Sequence, residues 1–178
     1  PLNTVEAVTK LLRGIENTPL KFYFINKQIF FKLKDILIIS RVIDLPFPNY
    51  RTILENNMYD KKLVINAEQF IKILKRIMIF VRNNSESKYG ATFKLNEKEM
   101  QINGINEIAK INEQVEVNYT GEELKIALNT KFLFEYVQNL DKESTLTLEF
   151  IRSNSSVKIQ KEGDDRYLYI LMPLALRD

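Results

Sequence analysis

Enzymes working near neutral pH most often recruit histidine or cysteine, and this sequence contains neither. That removes disulfides, thiolate metal sites, cysteine nucleophiles and the commonest general base. Carboxylates, amines, hydroxyls and amides remain. The carboxylates include two adjacent pairs, Glu122-Glu123 and Asp164-Asp165. Metal-assisted hydrolysis needs acids that converge on one ion. Each pair instead stands beside a glycine, Gly121 or Gly163, in a run that reads as an exposed turn. Gly14, Gly90 and Gly104 are also isolated, so no phosphate-cradling loop exists. These residues offer no metal or cofactor site, and they count against an enzyme and for a binding protein. Two other classes stay open: an α+β nucleic-acid-processing enzyme and a generic interaction module built from tandem repeats.

The residues best suited to binding are basic. Lys10 and Arg13, then Lys72, Lys75 and Arg76, then Lys131 fall in three separate segments. Each segment also has an apolar stripe at spacings of three and four. The stripes are Val5, Val8, Leu11, Leu12 and Ile15; Phe70, Ile71, Leu74, Ile77, Met78 and Val81; and Phe132, Leu133, Tyr136, Val137 and Leu140. That spacing predicts three amphipathic helices with the cations on their solvent faces. Lysine and arginine there can contact phosphate without reading sequence. An ordinary solvated helix face has the same composition, and Glu6, Glu68 and Glu135 dilute the charge. The net charge of +3 is too small to decide between the two.

The helices belong to a repeat. Leu2-Asn3-Thr4, Ile65-Asn66-Ala67 and Leu128-Asn129-Thr130 recur at two equal intervals of 63 residues. The three asparagines stand where helix N-caps are expected. Alternating runs follow the helices, such as Ala91, Phe93 and Leu95; Val115, Val117 and Tyr119; and Leu146, Leu148 and Phe150. Period two predicts strands with one buried face. Turn residues separate them: Asn26-Lys27, Asn96-Glu97, Asn103-Gly104, Ser153-Asn154 and Glu162 to Asp165. Leading strands precede the second and third helices at Leu63–Ile65 and Leu124–Leu128. The unit is strand, helix, then three strands, spanning roughly Lys61–Tyr119 and Glu123–Met172. An α+β fold follows, with helices on one face of antiparallel sheets. The proline-bearing stretch Asp44 to Asp60 reads as a linker. No apolar run is long enough for a membrane span, and no signal-peptide pattern opens the sequence.

Two motifs connect this repeat with a known family. Arg41-Val42-Ile43-Asp44-Leu45-Pro46-Phe47-Pro48-Asn49-Tyr50-Arg51 and the closing Tyr169-Ile170-Leu171-Met172-Pro173-Leu174 resemble signatures of the bacterial DNA polymerase III beta subunit, the sliding clamp. Asn49 stands where that family usually has Asp. Thr52 stands where some members carry a second Arg, and Ala175 to Asp178 extend past the usual end. The resemblance implies a DNA-clamp fold, with residues 1–60 as the second half of a middle domain plus linker and 61–178 as a complete C-terminal domain. It implies a bacterial, cytoplasmic processivity factor. Two subunits would close head to tail around duplex DNA, with Lys10, Arg13, Lys72, Lys75, Arg76 and Lys131 facing it, most clearly Lys10 and Arg76. It implies a groove for short peptide motifs of DNA polymerase, clamp loader and repair proteins, bordered by Pro48, Thr52, Ile53, Ile170, Met172, Pro173 and Leu174. From composition alone the apolar ones read as core or linker packing, because apolar residues near a domain edge usually pack internally. Ile79 and Phe80, at the end of the second helix, would meet the second clamp subunit.

Overall fold

The computed structural model describes residues 1–15, 17–47, 49–55, 58–84 and 87–175. The chain divides into two compact units, Pro1–Ile53 and Leu54–Asp178.

The N-terminal unit opens with helix α1 (Leu2–Leu12). Three strands follow, β1 (Lys21–Ile25), β2 (Gln28–Leu33) and β3 (Ile36–Arg41), paired in that order as an antiparallel sheet. Asn26 and Lys27 form the β1–β2 turn, both at positive φ (49° and 61°). Two left-handed residues match the twist of the flanking strands, which is why an asparagine-led pair stands here. Val8 of α1 and Leu33 of β2 are buried, whereas β1 is exposed along its whole length. The expected N-cap at Asn3 is corrected. Asn3 lies inside α1, whose cap position is Pro1 and which has no side-chain cap bond. A capping side chain belongs to the non-helical residue just ahead of the first turn, and Asn3 is already within that turn. Val5 is exposed, so the buried stripe of α1 is narrower than its sequence suggests. A short helix α2 (Tyr50–Glu55) occupies part of the predicted linker.

The C-terminal unit contains β4 (Lys61–Asn66), α3 (Ala67–Val81), β5 (Gly90–Leu95), β6 (Glu99–Ile105), β7 (Lys110–Glu116) and β8 (Asn118–Thr120). The second repeat supplies β9 (Leu124–Asn129), α4 (Thr130–Val137), β10 (Thr145–Phe150), β11 (Val157–Lys161) and β12 (Leu168–Leu171). The sheet orders are β12-β11-β10-β4-β8 and β7-β6-β5-β9. Each repeat therefore lends its leading strand to the other's sheet. Leu148 pairs with Leu63 across one junction, and Phe93 with Ile126 across the other.

The caps follow the same exchange. The Asn66 side chain accepts from the Gln69 amide at 3.1 Å and donates to the Lys142 carbonyl at 3.3 Å. The Asn129 side chain accepts from the Lys131 and Phe132 amides at 3.0 and 3.3 Å and donates to the Lys88 carbonyl at 3.4 Å. Both are N-caps as the sequence predicts, and both also tie their helix to the other repeat. Phe70, Ile73, Leu74, Ile77 and Val81 of α3 and Leu133, Tyr136 and Val137 of α4 are buried in one core with both sheets.

Three sequence expectations change. The alternating run at Val115, Val117 and Tyr119 is not one strand: β7 and β8 belong to different sheets. Asn103-Gly104 is not a turn but the end of β6. A Cβ on Gly104 would fall 2.6 Å from Val81 Cγ1 and 3.0 Å from Ile111 Cγ2, so glycine lets α3 lie close to the sheet. The turn comes later, at Asn106, whose side chain accepts from the Ile108 and Ala109 amides at 2.9 and 2.6 Å. Finally, Phe132 is 46% exposed and not among the buried residues of the core stripe.

Candidate functional site

Helices α3 and α4 pack side by side, and the candidate cations of this unit project from their solvent faces. Their charges are not equally available. Arg76 is engaged by Glu113 of β7 through two charge-assisted bonds, Nε–Oε1 at 2.6 Å and Nη2–Oε2 at 2.8 Å. Arg76 is 51% exposed and Glu113 only 19%. The guanidinium holds the Glu113 carboxyl below its ordinary range, and the carboxylate raises Arg76 in return. Lys72 pairs with Glu68 at 3.2 Å, one helical turn away. Such exposed pairs contribute little stability. Lys75 has no ion pair among the described residues; its Nζ lies 5.7 Å from the centre of the Phe134 ring. Lys131 lies 5.6 Å from the Tyr89 ring and 3.6 Å from Glu135. In the N-terminal unit, Lys10 and Arg13 are exposed and form no ion pair among the described residues.

A groove of about 480 Å³ runs between the two helices, lined by Lys75, Met78, Ile79 and Arg82 from the α3 side, Lys131, Phe134, Glu135 and Gln138 from the α4 side, and Tyr89. The spacing on each side is i, i+3, i+4, i+7, the signature of one helix edge. Arg76 falls outside this ridge and leans toward β7. Sequence reasoning missed Arg82 and the two aromatic residues. Arg82 is seven positions beyond Lys75, and that spacing was the available signal.

The apolar candidates separate by unit. In the C-terminal unit Ile170 is half-buried on β12, Met172 is 61% exposed, and Pro173 and Leu174 are half-buried. The Leu174 amide donates to the Ala127 carbonyl at 2.8 Å, so the chain crosses from the five-stranded sheet to the edge of the four-stranded one. Leu174 lines a second groove of about 250 Å³ with Ser87, Thr92, Asn103 and Ala127; Ile170, Met172 and Pro173 do not. In the N-terminal unit Thr52 and Ile53 are exposed, and the Thr52 hydroxyl donates to the Asn49 carbonyl at 2.8 Å. Pro48 lies outside the described residues.

Ile79 is 75% exposed and Phe80 half-buried. The Asn106 side chain donates to the Phe80 carbonyl at 2.7 Å, which ties the β6–β7 hairpin to the end of α3. That hairpin presents Ile105 and Ile108, the latter 96% exposed. Neither isoleucine stood out in the sequence: Ile108 is a lone apolar residue in a turn, and Ile105 ends β6 out of phase with its buried residues.

The paired acids do not converge. Glu122 and Glu123 are exposed, and Asp164 is bound by Arg166 at 3.0 and 3.2 Å. No group of three or more metal-capable side chains occurs among the described residues. No helix among them is long and apolar enough to cross a membrane.

The family model for the DNA polymerase III beta subunit, C-terminal domain, matches residues 52–175. The chain is 28% identical over 177 residues to the beta sliding clamp of Salmonella typhimurium, covering 99% of this chain and 47% of that protein. It is 28% identical over 174 residues to the beta sliding clamp of Haemophilus influenzae, covering 96% of this chain and 46% of that protein. The chain thus spans about half the length of these curated relatives. Among solved structures, the DNA polymerase III subunit beta of Pseudomonas aeruginosa superposes with a TM-score of 0.76 at 23% identity, over 98% of this chain and 47% of that one. A sliding clamp of Bartonella birtlesii bound to griselimycin gives 0.76 at 21% identity, over 99% and 46%. These superpositions show the clamp fold. With the family model covering well over half of its residues, the chain belongs to the DNA polymerase III beta subunit family.

Proposed function

We propose that this chain is the C-terminal portion of a bacterial DNA sliding clamp, a cytoplasmic processivity factor with no catalytic site of its own. In this reading residues 1–60 are the second half of a middle domain plus linker, and 61–178 a complete C-terminal domain. The observation that carries it is the packing of α3 and α4 side by side, with Lys72, Lys75, Arg76 and Lys131 on their solvent face. Cations on such a face meet phosphates without reading bases, as sliding requires. Lys10 and Arg13 on α1 supply the same chemistry in the N-terminal unit. The exposed apolar group at Ile79, Ile105 and Ile108, with Phe80, supports contact with a second subunit, because a head-to-tail ring needs a dedicated surface at each end of the protomer. Ile170, Met172, Pro173 and Leu174 are the proposed acceptors of apolar anchors from peptide motifs of polymerase, clamp loader and repair proteins. Pro48, Thr52 and Ile53 join them on the strength of the sequence resemblance.

The test is a chimera in which this chain replaces the matching half of the Salmonella typhimurium relative. Assembled on nicked circular DNA, the chimera should be retained, and linearising the DNA should release it. A dimeric chimera held equally on circular and linear DNA contradicts encirclement.

A further inference from the structure

We propose that Lys158 on β11 is a specificity residue of the peptide-binding face, selecting partner peptides that carry a carboxylate beside their apolar anchor. This rests on the peptide reading above and goes beyond it by naming a residue and a ligand chemistry. The first observation is register. Across the five-stranded sheet Lys62 pairs with Glu149, Glu149 with Lys158, and Lys158 with Ile170. Cross-strand partners share a face, so these four side chains form one row from β4 to β12. Their neighbours along the strands, Leu63, Leu148, Ile159 and Leu171, are buried. The row therefore projects from the sheet face turned away from the core, in which α3 and α4 are packed. Ile170 and the nearby Met172 are proposed acceptors of apolar anchors, and Lys158 is the cation beside Ile170.

Charge decides what this cation would recognise. The row holds two cations against one carboxylate. Lys158 Nζ lies 2.9 Å from Glu149, and the two side chains are 26% and 24% exposed. Lys62 stands opposite Glu149 on its other side, is exposed, and forms no ion pair among the described residues. A carboxylate arriving at Lys158 therefore does not strand Glu149, because Lys62 is there to replace the lost partner. Tyr59 holds Lys158 in place: Nζ stands 5.8 Å from the centre of its ring. An aromatic face shields an ammonium from water on one side, and a shielded charge attracts an anion more strongly than one in bulk solvent. The amide of the next residue, Asp60, donates to the Phe150 carbonyl at 3.2 Å, which ties the Tyr59 segment to β10. A cation fixed at the border of an apolar surface suits a peptide with an acid next to its anchor. The acid is either a side chain or the peptide's own terminal carboxylate.

The experiment uses the full 178-residue chain and synthetic peptides. Two capped peptides carry a Leu-Phe anchor pair flanked on both sides by Asp or on both sides by Asn. A third has Asn before the pair and a free carboxylate directly after it. Affinities come from NMR amide shifts at low salt and again as salt is raised. Shifts should include Lys158, Ile170 and Met172. The Asp peptide should bind about fivefold more tightly than the Asn peptide, and the preference should shrink with salt. A gain for the third peptide alone supports the proposal with the terminal carboxylate as the source. Lys158→Gln should abolish the preference and leave the affinity for the Asn peptide unchanged. Glu149→Gln releases Lys158 and should enlarge the preference. Thermal unfolding checks that both variants stay folded. An equal loss for the Asp and Asn peptides in Lys158→Gln would give Lys158 a merely structural role and overturn the proposal. So would the absence of any carboxylate preference in the unaltered chain, with the peptide reading left intact. No shifts with any peptide would overturn the peptide reading itself.

Discussion

At the scale of the residue, Arg76 and Glu113 show how a surface charge becomes a structural one. Glu113 alternates in phase with Ile111 and Val115 on β7, so its carboxylate points to the side of the sheet that α3 covers. Half-buried there, it needs a cation, and Arg76 supplies a two-pronged match. Arg76→Gln should destabilise the C-terminal unit by about 1 kcal/mol at neutral pH, the upper end for a partly exposed pair. The pH dependence has a definite sign. Glu113 titrates below its ordinary value in the folded protein, so the folded state binds fewer protons than the unfolded state. The pair's contribution is complete above the ordinary glutamate range and is lost as pH falls through the folded value. Urea unfolding at neutral and strongly acidic pH should show a smaller acid loss in the variant than in the wild type. Equal losses would mean that the pair does not set this dependence. Sequence periodicity placed Arg76 on a solvent face correctly, but could not show that its partner stands 37 residues away. The readable hint was an acid in the apolar phase of a strand. Arg82 escaped notice for the converse reason: it lies just past the last turn of α3, where an amphipathic stripe no longer constrains the reading.

At the scale of the element, the two capping asparagines join local and long-range order. Asn66 satisfies one amide of its own helix and Asn129 two, and each also bonds a carbonyl of the other repeat. Asn129→Ala should cost about 1–2 kcal/mol, since it removes the cap. Asn129→Asp keeps the acceptor and loses only the donor to Lys88, so it should retain most of the stability. The same ordering is expected at Asn66. Equilibrium unfolding of the alanine and aspartate variants measures both, and an alanine variant within a few tenths of a kcal/mol of wild type would show that the cap is dispensable. These caps were legible because the signal is local: asparagine between a strand and a helix. Asn3 shares the motif but lies within the first turn of its helix, and there the reading failed. The break between β7 and β8 was hidden for a different reason. Burial alternates without interruption from Ile111 to Tyr119, although the run changes sheet near Val117. Alternation reports which side of a strand is covered, not which sheet the strand joins.

At the scale of the whole molecule, the repeat explains why the two units differ in burial. In the C-terminal unit two repeats complete each other, and one continuous core contains residues from both. The described residues of the N-terminal unit form one helix and three strands of the repeat, α1 and β1–β3. Its only buried apolar side chains among the described residues are Val8 and Leu33, while Phe22 and Phe24 are 70% and 62% exposed. So little burial offsets only a small part of the chain entropy lost on folding. The two units of this chain should therefore open with very different free energies. Hydrogen exchange read by mass spectrometry should find the amides of β1, β2 and β3 exchanging far faster than those of β4, β5, β9 and β10. Leu33→Ala sharpens the test. Removing a buried leucine typically costs about 2–5 kcal/mol, more than so small a core can absorb. The substitution should erase the remaining protection of β1–β3 and leave β4 and β10 as slow as before. Comparable protection in both units would show that the N-terminal sheet gains stability from a source other than its own core. A loss that spread from Leu33 into β4 and β10 would show that the units unfold together.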